Sequence, residues 1–205
     1  MKIFGDLGSG NCLKVKYTAD HLGLPYTWVP VDILKGEARA PEFLRRFPIG
    51  RIPAVEFDDG RRLAESNAII RYLSRGSGLL PEDAFAQAKV DEWMFWEQYS
   101  HEPYVATTRY HIVYLKRSLD QREAWRVERG EQALDLMESH FVGGRQWLVG
   151  ETMTIADVAL LAYTRLAHEG GFDLSARSNV RAWIGRCEEA LGLQPVHRPA
   201  VRESE

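Results

Sequence analysis

With 205 residues, 45% of them hydrophobic and 27% charged, the chain has an ordinary globular composition and room for one large domain or two small ones. A net charge of −3 leaves no basic excess to neutralise phosphates, which argues against nucleic acid as a partner, and no apolar run approaches the roughly 18 residues of a spanning helix, which argues against a membrane. The start Met1-Lys2-Ile3-Phe4-Gly5-Asp6 lacks a signal peptide's apolar region, so a cytoplasmic location is expected, with Cys12 and Cys187 as reduced thiols.

Lys2-Ile3-Phe4-Gly5 predicts a short strand, and Gly8-Ser9-Gly10-Asn11 a turn into a helix from about Cys12 to Leu22. On that helix Leu13, Tyr17 and His21 form the apolar stripe, with Lys14, Lys16 and Asp20 mostly outside it. Gly23 ends the helix, and a second strand, Thr27 to Val31, follows in parallel through a right-handed crossover. A short helix falls between Lys35 and Phe47. Pro53 lacks an N–H for a sheet ladder and so stands at the head of a strand, Ala54 to Phe57. A cis Ile52-Pro53 bond would turn the Ile52 carbonyl and N–H out of the sheet, free to pair with a guest backbone. Asp58-Asp59-Gly60 makes a hairpin turn, Arg62-Leu63-Ala64 returns as a strand, and Glu65-Ser66 sits where that strand gives way to a helix. The helix N-terminus favours a carboxylate, to which the Ser66 hydroxyl can add a hydrogen bond. An acceptor for an amine beside donors for a carboxylate fits the head of an amino acid.

Gly76-Ser77-Gly78 and Pro81 mark a linker, beyond which apolar residues recur at helical spacing. Val90, Trp93 or Met94, Glu97, His101, Tyr104, Val105, Thr108, Ile112 and Leu115 follow one face of a long helix that Pro103 should bend. A second helix runs from about Arg122 to Phe141. Met153-Thr154-Ile155-Ala156-Asp157-Val158 is a capping box with a staple, Thr154 and Asp157 each satisfying the other's amide and Met153 packing on Val158. The helix it opens, Ile155 to His168, is apolar on nearly every side and must be buried. The last helix, Val180 to Leu191, buries Trp183 and Cys187.

The order β-α-β-α-β-β-α is the plan of the thioredoxin fold. Ser9-Gly10-Asn11-Cys12 keeps the spacing of a Cys-x-x-Cys with the first sulfur replaced by oxygen, which rules out dithiol exchange there but leaves a hydroxyl able to hydrogen-bond another molecule's thiolate. Ile52-Pro53, Glu65-Ser66 and the Thr154-Ile155-Ala156-Asp157 helix start together resemble, in order, motifs of the cytosolic glutathione transferases, over about residues 1 to 193. The resemblance implies an α/β thioredoxin-like N-terminal domain (1–77), a linker (78–86), an all-α C-terminal domain (87–193) and a mobile tail (194–205). It implies a homodimer that uses glutathione as co-substrate against a small electrophile, with no metal, in detoxification. Ile52, ahead of Pro53, would bind the cysteinyl backbone of glutathione, Glu65 and Ser66 its γ-glutamyl head, and Arg51 its glycine carboxylate. Lys35 is a second candidate for that last contact, or a solvated surface charge. Ser9, whose spacing to Gly23 is similar to that in the theta and zeta classes, would activate the thiol. Asn11, which resembles an asparagine of the nu class, stands beside it as an alternative. Leu7 and Gly8 on one side and Tyr99, His101, Tyr104, Thr108 and Arg109 on the other would wall the electrophile pocket, although a histidine on a helix stripe is commonly a packed core residue. Conjugation, isomerisation, disulfide or peroxide reduction, and non-catalytic binding all remain open.

Overall fold

Alternation along the strands sends successive side chains to opposite sides of a sheet. In the computed structural model, which describes residues 1–196, strand β1 (Lys2–Gly5) pairs in parallel with β2 (Thr27–Pro30) and antiparallel with β3 (Ala54–Glu56), which pairs antiparallel with β4 (Arg62–Ala64). The four-stranded order is β2-β1-β3-β4. Ile3 and Val55 face one side, in a core with Val15 and Ala19 of helix α1 (Gly10–His21) and Ile69 and Ile70 of α3 (Ser66–Leu73). Phe4 and Ala54 face the other, packed on Phe43 of α2 (Pro41–Arg46) and on Phe47. The Ile52-Pro53 bond is cis. The β1–β3 register ends at Ala54, which leaves Ile52 outside the ladder.

Helix α1 departs from the expected stripe. Cys12, Lys14, Val15, Tyr17, Thr18 and Ala19 are buried, whereas Leu13 is half-buried and His21 exposed. The reason is that α1 is covered twice, by α3 within its own layer and by α7 (Ile155–Thr164) of the helical part, so its buried arc is wider than one stripe. Lys14 lies inside that arc because it meets an anion there. Its Nζ stands 2.8 Å from Glu97 Oε2, and both side chains are fully buried.

Among the described residues no strand follows Ala64, and the elements beyond it are helices. The single long helix expected from the spacing is divided into α4 (Ala84–Trp96), a π-helical turn (Glu97–His101) and α5 (Glu102–Val113). Pro103 lies in the first turn of α5, where its missing N–H costs least, and the π-turn takes up the break just before it. Helix α6 (Ala124–His140) packs on α5, and α8 (Ser178–Ala190) on α6 and α7. Every residue of α7 is buried, and its capping box is formed. It stops at Thr164, short of the expected His168, and a 3-10 turn follows over Ala167–Gly170. Residues 197–205, most of the expected tail, lie outside the described residues, while the Gln194 carbonyl just before them accepts from Arg165 at 2.7 Å.

Candidate functional site

The N-termini of α1 and α3 open side by side, tied together by the Ser66 hydroxyl, which donates to Asn11 Oδ1 at 2.9 Å. Each helix start presents unpaired N–H groups and the positive end of a dipole. Two anion-favouring ends within one hydrogen bond of each other suit a small ligand with two electron-rich groups.

Ser9 caps α1 with an extended backbone (φ −87°, ψ 120°), and its side chain makes no capping bond. Its hydroxyl lies beside the Cys12 thiol and the Tyr163 phenol. Burial pushes the thiol up to about 11 and raises the phenol as well, so both are protonated at neutral pH. Neither competes as an anion for what Ser9 can donate. The turn that carries Ser9 is held from the helical side. Asp6 accepts from the Gly8 amide at 2.8 Å through one oxygen and from the Tyr114 hydroxyl at 2.6 Å through the other. Arg109, almost buried, donates to the Gly8 carbonyl at 2.8 Å and to Glu169 at 2.7 Å. Glycine is required on both sides of Ser9: a Cβ on Gly8 would lie 2.5 Å from the Tyr114 hydroxyl, and one on Gly10 2.6 Å from the Tyr163 ring. Gly8 and Gly10 let two helices of the second layer close onto the turn.

At the other helix start, Glu65 precedes α3 with φ 67° and ψ 114°. A non-glycine residue there carries about 1–3 kcal/mol of backbone strain, of the kind that collects at ligand sites. Its side chain is exposed, as are Arg51 and Leu7, while Ser66 is nearly buried. The Ser66 proton is already committed to Asn11, so the donors left for a carboxylate are the backbone amides of the first turn of α3.

Behind this pair runs a polar network into the helical layer. Asn11 Nδ2 donates to Glu102 Oε1 at 2.9 Å, and the Gln98 amide donates to the other Glu102 oxygen and, at 2.8 Å, to Glu97. Glu97 also takes Lys14 at 2.8 Å and Asn67 at 3.1 Å, leaving only its Oε1 without a partner. A buried ion pair is tolerated when further hydrogen bonds complete it, and here they link α1, α3 and the π-turn.

Ser9, Asn11, Ser66, Gly8 and Arg109 are thus gathered at one place. Others are not. Lys35 is exposed and pairs with Asp32 at 3.1 Å on the surface. Tyr99 is 82% exposed on the π-turn. His101 is fully buried, bonded through Nε2 to Thr164 at 3.0 Å, and burial lowers its pKa to about 3. A neutral imidazole in the core has no open pocket to face and no proton to give near neutral pH. Tyr104 stacks edge-on against Trp125 of α6, and the Thr108 hydroxyl bonds back to the Tyr104 carbonyl. The residues of the helical layer that reach the turn or Asn11 include Tyr114, Tyr163 and Glu102, together with Asp6 within the turn itself, and no local motif announces them.

Residues 8–75 match the glutathione S-transferase N-terminal domain and residues 120–186 the glutathione S-transferase C-terminal domain. A Fusarium protein named glutathione S-transferase-like protein LUC7 is 31% identical over 97% of this chain and 93% of its own length. Human glutathione S-transferase theta-2 is 31% identical over 95% of this chain and 83% of its own. A solved glutathione S-transferase from Pseudomonas fluorescens superposes with a TM-score of 0.88 at 44% identity, covering 98% of both chains.

Proposed function

The chain belongs to the glutathione S-transferase family, and from that premise we propose that it binds glutathione across the paired starts of α1 and α3 and activates its thiol beside Ser9. It is a glutathione transferase, with the α/β thioredoxin-like and all-α layers of that family. The observation that carries the site is the Ser66–Asn11 hydrogen bond, because it sets the carboxylate-favouring end of α3 next to the thiolate-favouring end of α1. Ile52, outside the ladder, is the backbone partner for the cysteinyl residue between them. Glu65 takes the ammonium of the γ-glutamyl head, the α3 amides take its carboxylate, and Arg51 is the candidate for the glycine carboxylate. The sulfur then lies at the α1 N-terminus, where Ser9 donates to it and the electrophile approaches past Leu7 and Gly8. The proposed setting is cytoplasmic detoxification of small electrophiles, without a metal.

Calorimetric titration with glutathione tests the binding mode. Glu65→Ala should weaken affinity about tenfold, roughly 1.4 kcal/mol, as expected when a charge-assisted hydrogen bond is lost. Equal affinity in the folded variant and the wild type would mean that the head binds elsewhere.

Assembly belongs to the same proposal. Phe85, Phe95 and Tyr99 are 75%, 75% and 82% exposed on α4 and the π-turn, more apolar surface than a lone helix face commonly leaves in water. A twofold dimer would cover it. Light scattering should give about twice 23.4 kDa, and a mass of one chain at micromolar concentration would contradict the pairing.

A further inference from the structure

Glycine on both sides of Ser9 gives the chain there more backbone freedom than any other residue type would. Ser9 makes no side-chain capping bond that would fix it from within. The direction of its hydroxyl must therefore be imposed by what holds the turn. A peptide unit is planar, so holding both of its polar groups fixes the plane. The Gly8–Ser9 unit is held in this way. The Ser9 amide donates to the Asp6 carbonyl at 3.0 Å, and the Gly8 carbonyl accepts from Arg109 Nη1 at 2.8 Å. The first bond is local to the turn, whereas the second comes from α5, 101 positions away.

Arg109 is itself aimed. Its Nε and Nη2 both stand 2.7 Å from Glu169 Oε2, which occupies one edge of the planar guanidinium and leaves Nη1 for Gly8. Glu169 belongs to the 3-10 turn after α7, and that turn lies close on α5, since a Cβ on Gly170 would be 3.1 Å from the Arg109 amide nitrogen. The Arg109 side chain is almost buried between its two acceptors. We propose that Arg109 is a positioning residue for thiol activation, holding the Gly8–Ser9 peptide so that the Ser9 hydroxyl points at the glutathione sulfur. The inference rests on the assignment of Ser9 made above. Without the guanidinium, Gly8 lets the peptide rotate, the Ser9 amide leaves the Asp6 carbonyl, and the thiolate loses its directed donor.

The experiment reads the ultraviolet absorbance of bound thiolate against pH at saturating glutathione, beside affinity by calorimetry. Arg109→Met keeps the apolar stem and removes the donors. It should raise the pKa of the bound thiol by about one unit and lower turnover at pH 7 by about three- to tenfold, the scale of a misdirected catalytic group, with little change in affinity. In a Ser9→Ala background Arg109→Met should have no further effect, because the hydroxyl it directs is gone. Arg122→Ala is the control for a loosened helical layer, since Arg122 holds the same 3-10 turn through the Gly170 and Gly171 carbonyls at 3.3 and 2.8 Å. It should leave the curve in place. Should Arg109→Met fail to fold, Arg109→Lys takes its place: a point ammonium cannot hold Glu169 and the Gly8 carbonyl in the two directions of the fork, so its curve must also rise. An Arg109 variant with the wild-type curve, a shift that adds to that of Ser9→Ala, or an equal shift in Arg122→Ala would overturn the proposal. If Ser9→Ala alone left the curve in place, the assignment of Ser9 would fail, and the inference with it.

Discussion

Asp157→Ala is expected to lower the unfolding free energy by about 3 kcal/mol or more, a loss of the size that follows when several buried donors are orphaned at once. Asp157 is fully buried at the start of α7. One carboxylate oxygen accepts from the Leu148 amide at 3.0 Å and the Trp183 indole at 2.9 Å; the other accepts from the Thr154 amide at 2.8 Å and its hydroxyl at 3.1 Å. The side chain therefore caps one helix, anchors the loop ahead of it and fixes the central aromatic residue of α8. Alanine would leave those donors buried without a partner, and each costs about 1–3 kcal/mol, offset in part by removal of a desolvated charge. Asparagine keeps one acceptor and should fall between alanine and wild type. Urea unfolding of the three proteins at neutral pH measures the series, and a loss below about 1 kcal/mol for alanine would show that the loop and α8 are held by packing alone.

The pH dependence gives a second view of the same group. Burial raises the Asp157 carboxyl above its ordinary value, despite the hydrogen bonds that pull it down. A raised folded-state pKa means that the folded chain binds the proton more tightly than the unfolded one. The stability linked to Asp157 is then fully present below the unfolded pKa and lost as pH rises through the folded one, the reverse of a salt-bridged carboxylate. The difference in stability between wild type and Asp157→Asn should shift in that direction across the acid range.

Asp157 also marks where sequence alone was sufficient. Thr154 and Asp157 lie three positions apart, and a capping box depends on little else. The hairpin turn at Asp58-Asp59-Gly60, Pro53 at the head of β3 and Glu65-Ser66 at the strand-to-helix junction are local in the same sense. Of the helical wall of the site Arg109 was legible and the rest was not, for a physical reason. Periodicity finds the stripe that is buried, and a buried stripe builds core, so His101 and Thr108 went into the interior with Val105. The turn and Asn11 are instead touched from the flank of that stripe, by Glu102, Arg109 and Tyr114. Lys14 is the same lesson in charge. A lysine is assigned to solvent by type, and only the fold brings up Glu97, which is 83 positions away.

Ser9→Ala is expected to reduce turnover at pH 7 by ten- to a hundredfold, about 1.4 to 2.7 kcal/mol of transition-state stabilisation. A thiol with a pKa near 8.5 is mostly protonated at that pH, and lowering it by about two units is worth roughly 2.7 kcal/mol. The N-terminus of α1 supplies about 0.3–1 kcal/mol of this by its dipole, so the remainder falls to a directed donor. Ser9 stands at that N-terminus with a hydroxyl not spent on capping, beside a thiol and a phenol that burial keeps protonated. Its loss should raise the pKa of bound glutathione, read from the ultraviolet absorbance of the thiolate against pH, while affinity changes little because the γ-glutamyl contacts remain. The defect should shrink as pH rises, since the thiolate then forms without help. Cys12→Ala, which removes a fully buried thiol, should leave the absorbance curve in place. Asn11→Ala should change affinity more than the curve, because its oxygen serves Ser66. If instead the curve moved with Asn11→Ala and stood still with Ser9→Ala, thiol activation would belong to the amide and not to the hydroxyl.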